Sequence, residues 1–160
     1  MDVRVEPVPP IRVAGYEHRG PYNTIGETWA RFNEALASHG ALVGPATMLL
    51  SVYYDDPGST APERLRSLAG LSLDDTHRPP EGFTVDVLAA SRYAIATHTG
   101  PYERLGEVWK WLARWAREHG HAVAPLPCFE VYRNDPRTTQ AHELATELYL
   151  PVRDAEVPAV

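Results

Sequence analysis

The chain has 160 residues, 44% of them hydrophobic, a formal charge of −6 and a single cysteine. That length suits one domain of ordinary size, or two half-domains sharing a core, and one cysteine excludes both an internal disulfide and a four-cysteine zinc site. The acidic balance, with Lys110 the only lysine, argues against a nucleic-acid-binding surface, and neither an apolar leader nor a run of about 18 apolar residues is present, so a cytoplasmic protein with no membrane span is expected.

Residues 2–18 predict a strand broken at Pro9 and Pro10, because proline has no amide to donate to a sheet ladder. Gly20 and Pro21 then turn the chain, and Asn23 or Thr24 is expected to cap a helix. Ile25, Trp29, Phe32 and Leu36 recur at helical spacing and form its buried stripe. A glycine at position 40 suits a left-handed helix stop. Residues 47–54 predict a strand closed by Asp55, Asp56, Pro57 and Gly58, with a helical turn over 62–67 and a further strand over 68–73. The polar, proline-containing stretch 74–82 is the expected linker.

The plan then repeats. At an offset of 80, His18, Gly20, Pro21, Tyr22, Gly26, Glu27, Trp29, His39 and Gly40 meet the same residue types, and at 79 so do Val52, Tyr53, Asp56 and Pro57. An internal duplication follows, with module one over 3–73, module two over 83–152 and a short tail over 153–160. Each module is expected to run strand, helix, strand, strand, giving an α+β chain of mostly antiparallel sheets related by an approximate twofold. The second helix starts after Tyr102, with Leu105, Trp109, Leu112 and Ala116 as its stripe and Trp111 at the margin.

Where the copies differ, function becomes the candidate explanation. Glu130 stands where the first copy has Ser51, between Phe129 and Val131. Matching Phe129 and Val131 to Leu50 and Val52 as helix-facing residues predicts that Cys128, Glu130 and Tyr132 face away from the helix, together with Glu147 and Tyr149 of the last strand. A carboxylate in such surroundings is costly to bury unless it is paired or protonated, so its ionisation would be coupled to the charge of a ligand. The same carboxylate also fits a purely structural role, accepting hydrogen bonds from tyrosines or the backbone. Tyr16, Tyr53, Tyr132 and Tyr149 are candidate flat walls for an aromatic cation.

The remaining candidates carry less. His119 and His121 have no acid or cysteine partner at a metal-ligand spacing, so no metal and no cofactor are expected. His18 and His98, at equivalent positions, are expected to fix the strand-to-turn geometry. Cys128 beside a carboxylate is not an activated nucleophile.

The paired HxGPY blocks, the tryptophan-bearing helices ending in HG, and then FEVYRNDP and TELYLPV resemble the GyrI-like small-molecule-binding family, over Val3 to Val152. That family includes the effector-binding half of AraC-type and MerR-type multidrug regulators as well as stand-alone proteins. The resemblance implies two modules around a central groove that takes bulky, often cationic, aromatic compounds. It also implies that Glu130 is the acid at the floor of that groove and that Tyr149 contacts ligand. A helix-turn-helix, which the family's regulators carry, has no room in this sequence. Some stand-alone relatives are similar to hydrolases that open strained cyclopropanes, in which Glu130 would serve as a general base. The family's name also raises a protein partner, DNA gyrase, which no residue here specifies.

Overall fold

The structure, a computed structural model, describes residues 1–155. Its first break falls at Pro9 and Pro10, between β1 (Val3–Val8) and β2 (Ile11–Arg19). After β2, Gly20 adopts φ 127° and its amide donates to Leu65 O at 2.9 Å. Helix α1 (Ile25–Ala37) follows, then β3 (Leu49–Tyr53), a 3-10 turn at Pro62–Arg64, β4 (Arg66–Ser72) and β5 (Thr84–Leu88). The second series is β6 (Ser91–Thr99), α2 (Leu105–Glu118), β7 (His121–Val123), β8 (Cys128–Tyr132) and β9 (Ala145–Asp154). The described residues thus form an α+β chain, antiparallel in each strand pair detailed below.

Two compact units emerge, a mid-chain unit of Pro10–Ala89 and a two-segment unit of Met1–Pro9 with the chain from Ala90 onward. In the mid-chain unit the strand order is β3-β4-β2-β5; in the two-segment unit it is β1-β6-β9-β8, with β7 also on β9. The units therefore differ from the modules expected over 3–73 and 83–152. Each opening strand joins the second strand of the other sequence copy: β1 pairs with β6 and β5 with β2. The prolines at 9 and 10 supply the reason for β1, since two missing amide donors end a ladder and release the chain. The last strand also runs to Asp154, into the expected tail, and 156–160 lie outside the described residues.

Each helix covers one face of one sheet. In the mid-chain unit Phe32 of α1 buries against Ala14, Leu71 and Leu73, with Tyr16, Trp29, Leu36, Leu49 and Phe83 packed around them. In the two-segment unit Leu105, Val108, Leu112 and Ala116 of α2 bury against Ala94, Ala96, Leu148, Leu150 and Val152, with Trp109, Trp111 and Trp115 half-buried at the edges. Burying one such aliphatic side chain contributes roughly 1.5–3 kcal/mol.

Two local expectations change. Neither Asn23 nor Thr24 caps α1 through its side chain; Thr24 Oγ1 donates instead to Pro21 O (2.7 Å) and meets His18 Nε2 (2.9 Å). The left-handed helix stop is at Gly120 (φ 80°), whereas Gly40 has no positive φ and opens a 3-10 turn.

Candidate functional site

Sheet register decides which residues share a face. In β9, Leu148, Leu150 and Val152 point into the α2 core. Glu130 of β8 lies directly opposite Leu148, and directly opposite residues in an antiparallel pair project to the same side. Glu130 and Tyr132 therefore face α2, which reverses the expectation that they point away from it. Phe129 and Val131, matched to the helix face on grounds of apolarity, lie opposite Tyr149 and Glu147 on the other face. Both are fully buried there, which is why hydrophobicity alone pointed the wrong way. The mid-chain sheet follows the same rule: Leu49 packs in the α1 cluster and Ser51 is bonded by Trp29, so Leu50 and Val52 point away from α1.

Glu130 is 3% exposed. Trp109 Nε1–H donates to its Oε1 at 2.7 Å, and the Tyr132 hydroxyl donates to its Oε2 at 2.8 Å. Tyr102 packs against Tyr132 with ring centroids 5.4 Å apart and planes at 59°. Burial pushes the Tyr102 hydroxyl pKa up, and the negative charges of Asp135 and Glu130 push it further. The sequence supports this geometry locally. Gly100, at φ 146°, and Pro101 turn β6 into the start of α2, so Trp109 falls on the helix face above β8. Trp109 and Tyr132, both neutral donors, hold one carboxylate oxygen each in place.

Of the other expected site residues, Tyr149 is buried on the opposite face. It stacks on Phe129 (4.5 Å, 11°) and meets Tyr93 edge-on (6.0 Å). Burial raises its hydroxyl pKa, and Glu147 adds to the effect. Glu147, expected beside Glu130, shares Tyr149's face instead and is gripped by Arg4 (2.8 Å) and Arg133. Burial alone would raise the Glu147 carboxyl, but these two guanidinium groups hold it below its ordinary value. Tyr53 packs on Tyr22 (4.7 Å, 55°) and Tyr16 sits edge-on to Phe32 (6.0 Å) and Phe83 (5.2 Å), all within the mid-chain unit. Tyr16 is thus part of the α1 core.

The structure brings Glu130 and Tyr132 together and adds Trp109, expected only in the buried helix stripe, and Tyr102, expected only just before the helix. The available signal was their recurrence: both match their counterparts Trp29 and Tyr22 at the same offset as the glycines and prolines of the turn.

His18 Nδ1 lies 2.7 Å from Thr28 Oγ1 and its Nε2 3.2 Å from Pro21 O, which ties strand, turn and helix together. His98 is equally buried and reaches Pro101 O at 3.4 Å. His121 is half-buried, and its ring lies parallel to Trp115. No group of three or more His, Cys, Asp or Glu side chains able to hold a metal occurs among the described residues. Among the described residues of the two-segment unit, one surface depression lies beside Arg4, Thr97 and Thr99 and another beside Glu107, Trp111 and Arg114. Neither includes Glu130, and the buried, doubly bonded carboxylate is the more specific chemical feature.

Residues 1–153 match the model of the GyrI-like small molecule binding domain, and the chain belongs to that family. A protein of Cronobacter turicensis described as a DNA gyrase inhibitor is 29% identical, over 96% of this chain and 98% of its own length. Among solved structures, the EcmrR C-terminal domain superposes with a TM-score of 0.75 at 15% identity, covering 96% of this chain and 98% of that one. SAV2435 bound to tetraphenylphosphonium superposes with a TM-score of 0.67 at 15% identity, covering 96% and 94%. At these identities the structural likeness establishes the fold alone. No helix among the described residues is long and apolar enough to cross a membrane.

Proposed function

We propose that this small-molecule-binding chain takes lipophilic aromatic cations, with Glu130 as the anionic centre and Trp109, Tyr102 and Tyr132 as the aromatic surface around it. The observation that carries the reading is a 3% exposed carboxylate whose two oxygens are each fixed by a neutral aromatic donor. An aromatic cation approaching this group gains charge attraction at low local dielectric and about 0.5–2 kcal/mol for each ring it covers. The tetraphenylphosphonium bound to SAV2435 is a ligand of this chemistry. The other sequence copy, with Ser51 at the equivalent position, has no carboxylate to offer there.

The test compares two ligands of one shape and opposite charge. Tetraphenylphosphonium should quench tryptophan fluorescence with about micromolar affinity, at least tenfold tighter than tetraphenylborate. Equal affinity for both would show that charge at Glu130 is not what the protein reads.

The gyrase inhibitor from Cronobacter, alike over its whole length, supports a second reading in which this chain restrains DNA gyrase. A supercoiling assay decides it: loss of supercoiling at a few-fold protein excess supports inhibition, and full supercoiling at high excess removes it.

A further inference from the structure

Beside the Glu130 pair, the two-segment unit buries a hydroxyl with nothing to bond. Thr146 of β9 is fully buried, and its Oγ1 has no hydrogen-bond partner among the described residues. Sheet register places it on the face of Glu130. Thr146 lies directly opposite Tyr132 of β8 on one side and His98 of β6 on the other, two residues along from Leu148, the residue opposite Glu130.

The row Tyr132, Thr146, His98 has a counterpart in the mid-chain unit, Tyr53, Ser67 and His18. There His18 lies 2.7 Å from Thr28 Oγ1 and 2.9 Å from Thr24 Oγ1. At the offset of 80 those two threonines are replaced by Val108 and Arg104. The buried His98 keeps a contact to Pro101 O that, at 3.4 Å, is long for a hydrogen bond. Ser67 Oγ is also unpartnered, but it stands beside a histidine that the protein itself bonds at both ring nitrogens. The second copy thus leaves two under-bonded polar groups side by side on the face that carries its singular acid.

We infer that Thr146 and His98 are the hydrogen-bonding end of the ligand site whose anionic end is Glu130, so that the site prefers an aromatic cation carrying a hydroxyl or N–H group over one without. The inference rests on the reading of Glu130 as the ligand carboxylate and narrows the class of cation it takes. A buried hydroxyl left unbonded is destabilising, and a ligand that bonds it removes that penalty. A threonine hydroxyl both donates and accepts, and an imidazole nitrogen takes either role according to its tautomer, so the two suit a ligand hydroxyl. Tyr132 governs access. It is half-buried, stands directly opposite Thr146 and gives its hydroxyl to Glu130 Oε2 at 2.8 Å. A cation arriving at Glu130 competes for that oxygen, and the ring, turning aside, opens the way to the row.

Two probes differ by one hydroxyl, tetraphenylphosphonium and (meta-hydroxyphenyl)triphenylphosphonium. Each is titrated calorimetrically into wild type, Thr146→Val, His98→Phe, Ser67→Ala and Glu130→Gln, with thermal melts showing which variants are folded. Wild type should bind the hydroxylated probe about fivefold tighter. Thr146→Val and His98→Phe should each cut that advantage to less than about twofold, and Ser67→Ala should keep it. Without ligand, Thr146→Val should melt about 2–4 °C above wild type, because it removes an unbonded buried hydroxyl and keeps the side-chain shape. Equal binding of the two probes by wild type overturns the inference, as does an advantage that survives in Thr146→Val, or in His98→Phe if the valine variant does not fold. A Thr146→Val melting point below that of wild type would show that the hydroxyl is already bonded within the protein, and would overturn it too. An unchanged tetraphenylphosphonium affinity in Glu130→Gln, by contrast, would overturn the reading of Glu130 itself.

Discussion

Glu130 and Tyr149 stand on adjacent strands yet project from opposite faces of the sheet, because β8 and β9 pair Glu130 with Leu148 and Phe129 with Tyr149. A ligand held on the α2 side by Glu130 thus meets Trp109 and Tyr132 and leaves Tyr149 behind the sheet. Tyr149→Phe should change tetraphenylphosphonium affinity by less than about twofold, measured calorimetrically. Tyr149→Ala should lower unfolding free energy by about 3–5 kcal/mol, because a buried ring stacked on Phe129 leaves a cavity.

Trp109 holds the carboxylate from above. Trp109→Phe keeps a ring in the core but removes the only hydrogen an indole can donate, leaving Glu130 Oε1 without that bond. A loss of about 1–3 kcal/mol in chemical denaturation is expected, the cost of unmaking a hydrogen bond to a buried acceptor. Phosphonium affinity should fall as well, since the carboxylate is no longer oriented. Wild-type stability in this variant would show that the bond carries no load.

On the opposite face, Glu147 ties β1 to β9 and to the segment after β8, through Arg4 and Arg133. Its carboxyl sits below the ordinary value of 4.5 in the fold. The ionised form is therefore favoured on folding, and the stability it confers is fully present above pH 4.5 and disappears as pH falls through the lower folded value. Glu147→Gln should cost about 1–3 kcal/mol at pH 7 by urea unfolding, between the values for exposed and buried pairs because both arginines are about half exposed. The difference between variant and wild type should shrink towards pH 3. A difference that stays constant with pH would remove the charge from the explanation.

In the β2–β4 pair the two backbones approach closely at a pair of glycines. Gly15 lies opposite Gly70, and a Cβ on Gly15 would come within 2.0 Å of Ala69 O. No side-chain rotation relieves a clash with backbone, so Gly15→Ala should destabilise by more than about 3 kcal/mol or prevent folding, as judged by thermal melting. The corresponding pair in the other unit is Ile95 and Tyr149, where the strands carry full side chains.

Much of this could be read before the fold was known. The break at Pro9 and Pro10, both helices, the glycine-proline turns and the singular acid at position 130 follow from proline's missing donor, helical periodicity and a sequence that repeats itself. The facing of β8 did not follow, because Phe129, Glu130 and Val131 are all buried and apolarity cannot distinguish two covered faces. Only the register against β9 decides it, and register is a long-range property. The exchange of β1 and β5 between sequence copies was hidden for the same reason, since a strand's sequence does not name its partner. Strand β7, only three residues long, is too short to show alternation.

The most direct measurement is a calorimetric titration of tetraphenylphosphonium into wild type and Glu130→Gln at pH 7, both shown to be folded. Removing the charge while keeping the shape should weaken binding at least tenfold, about 1.4 kcal/mol. Affinities within twofold of each other would contradict the assignment of Glu130 as the group that holds the cation.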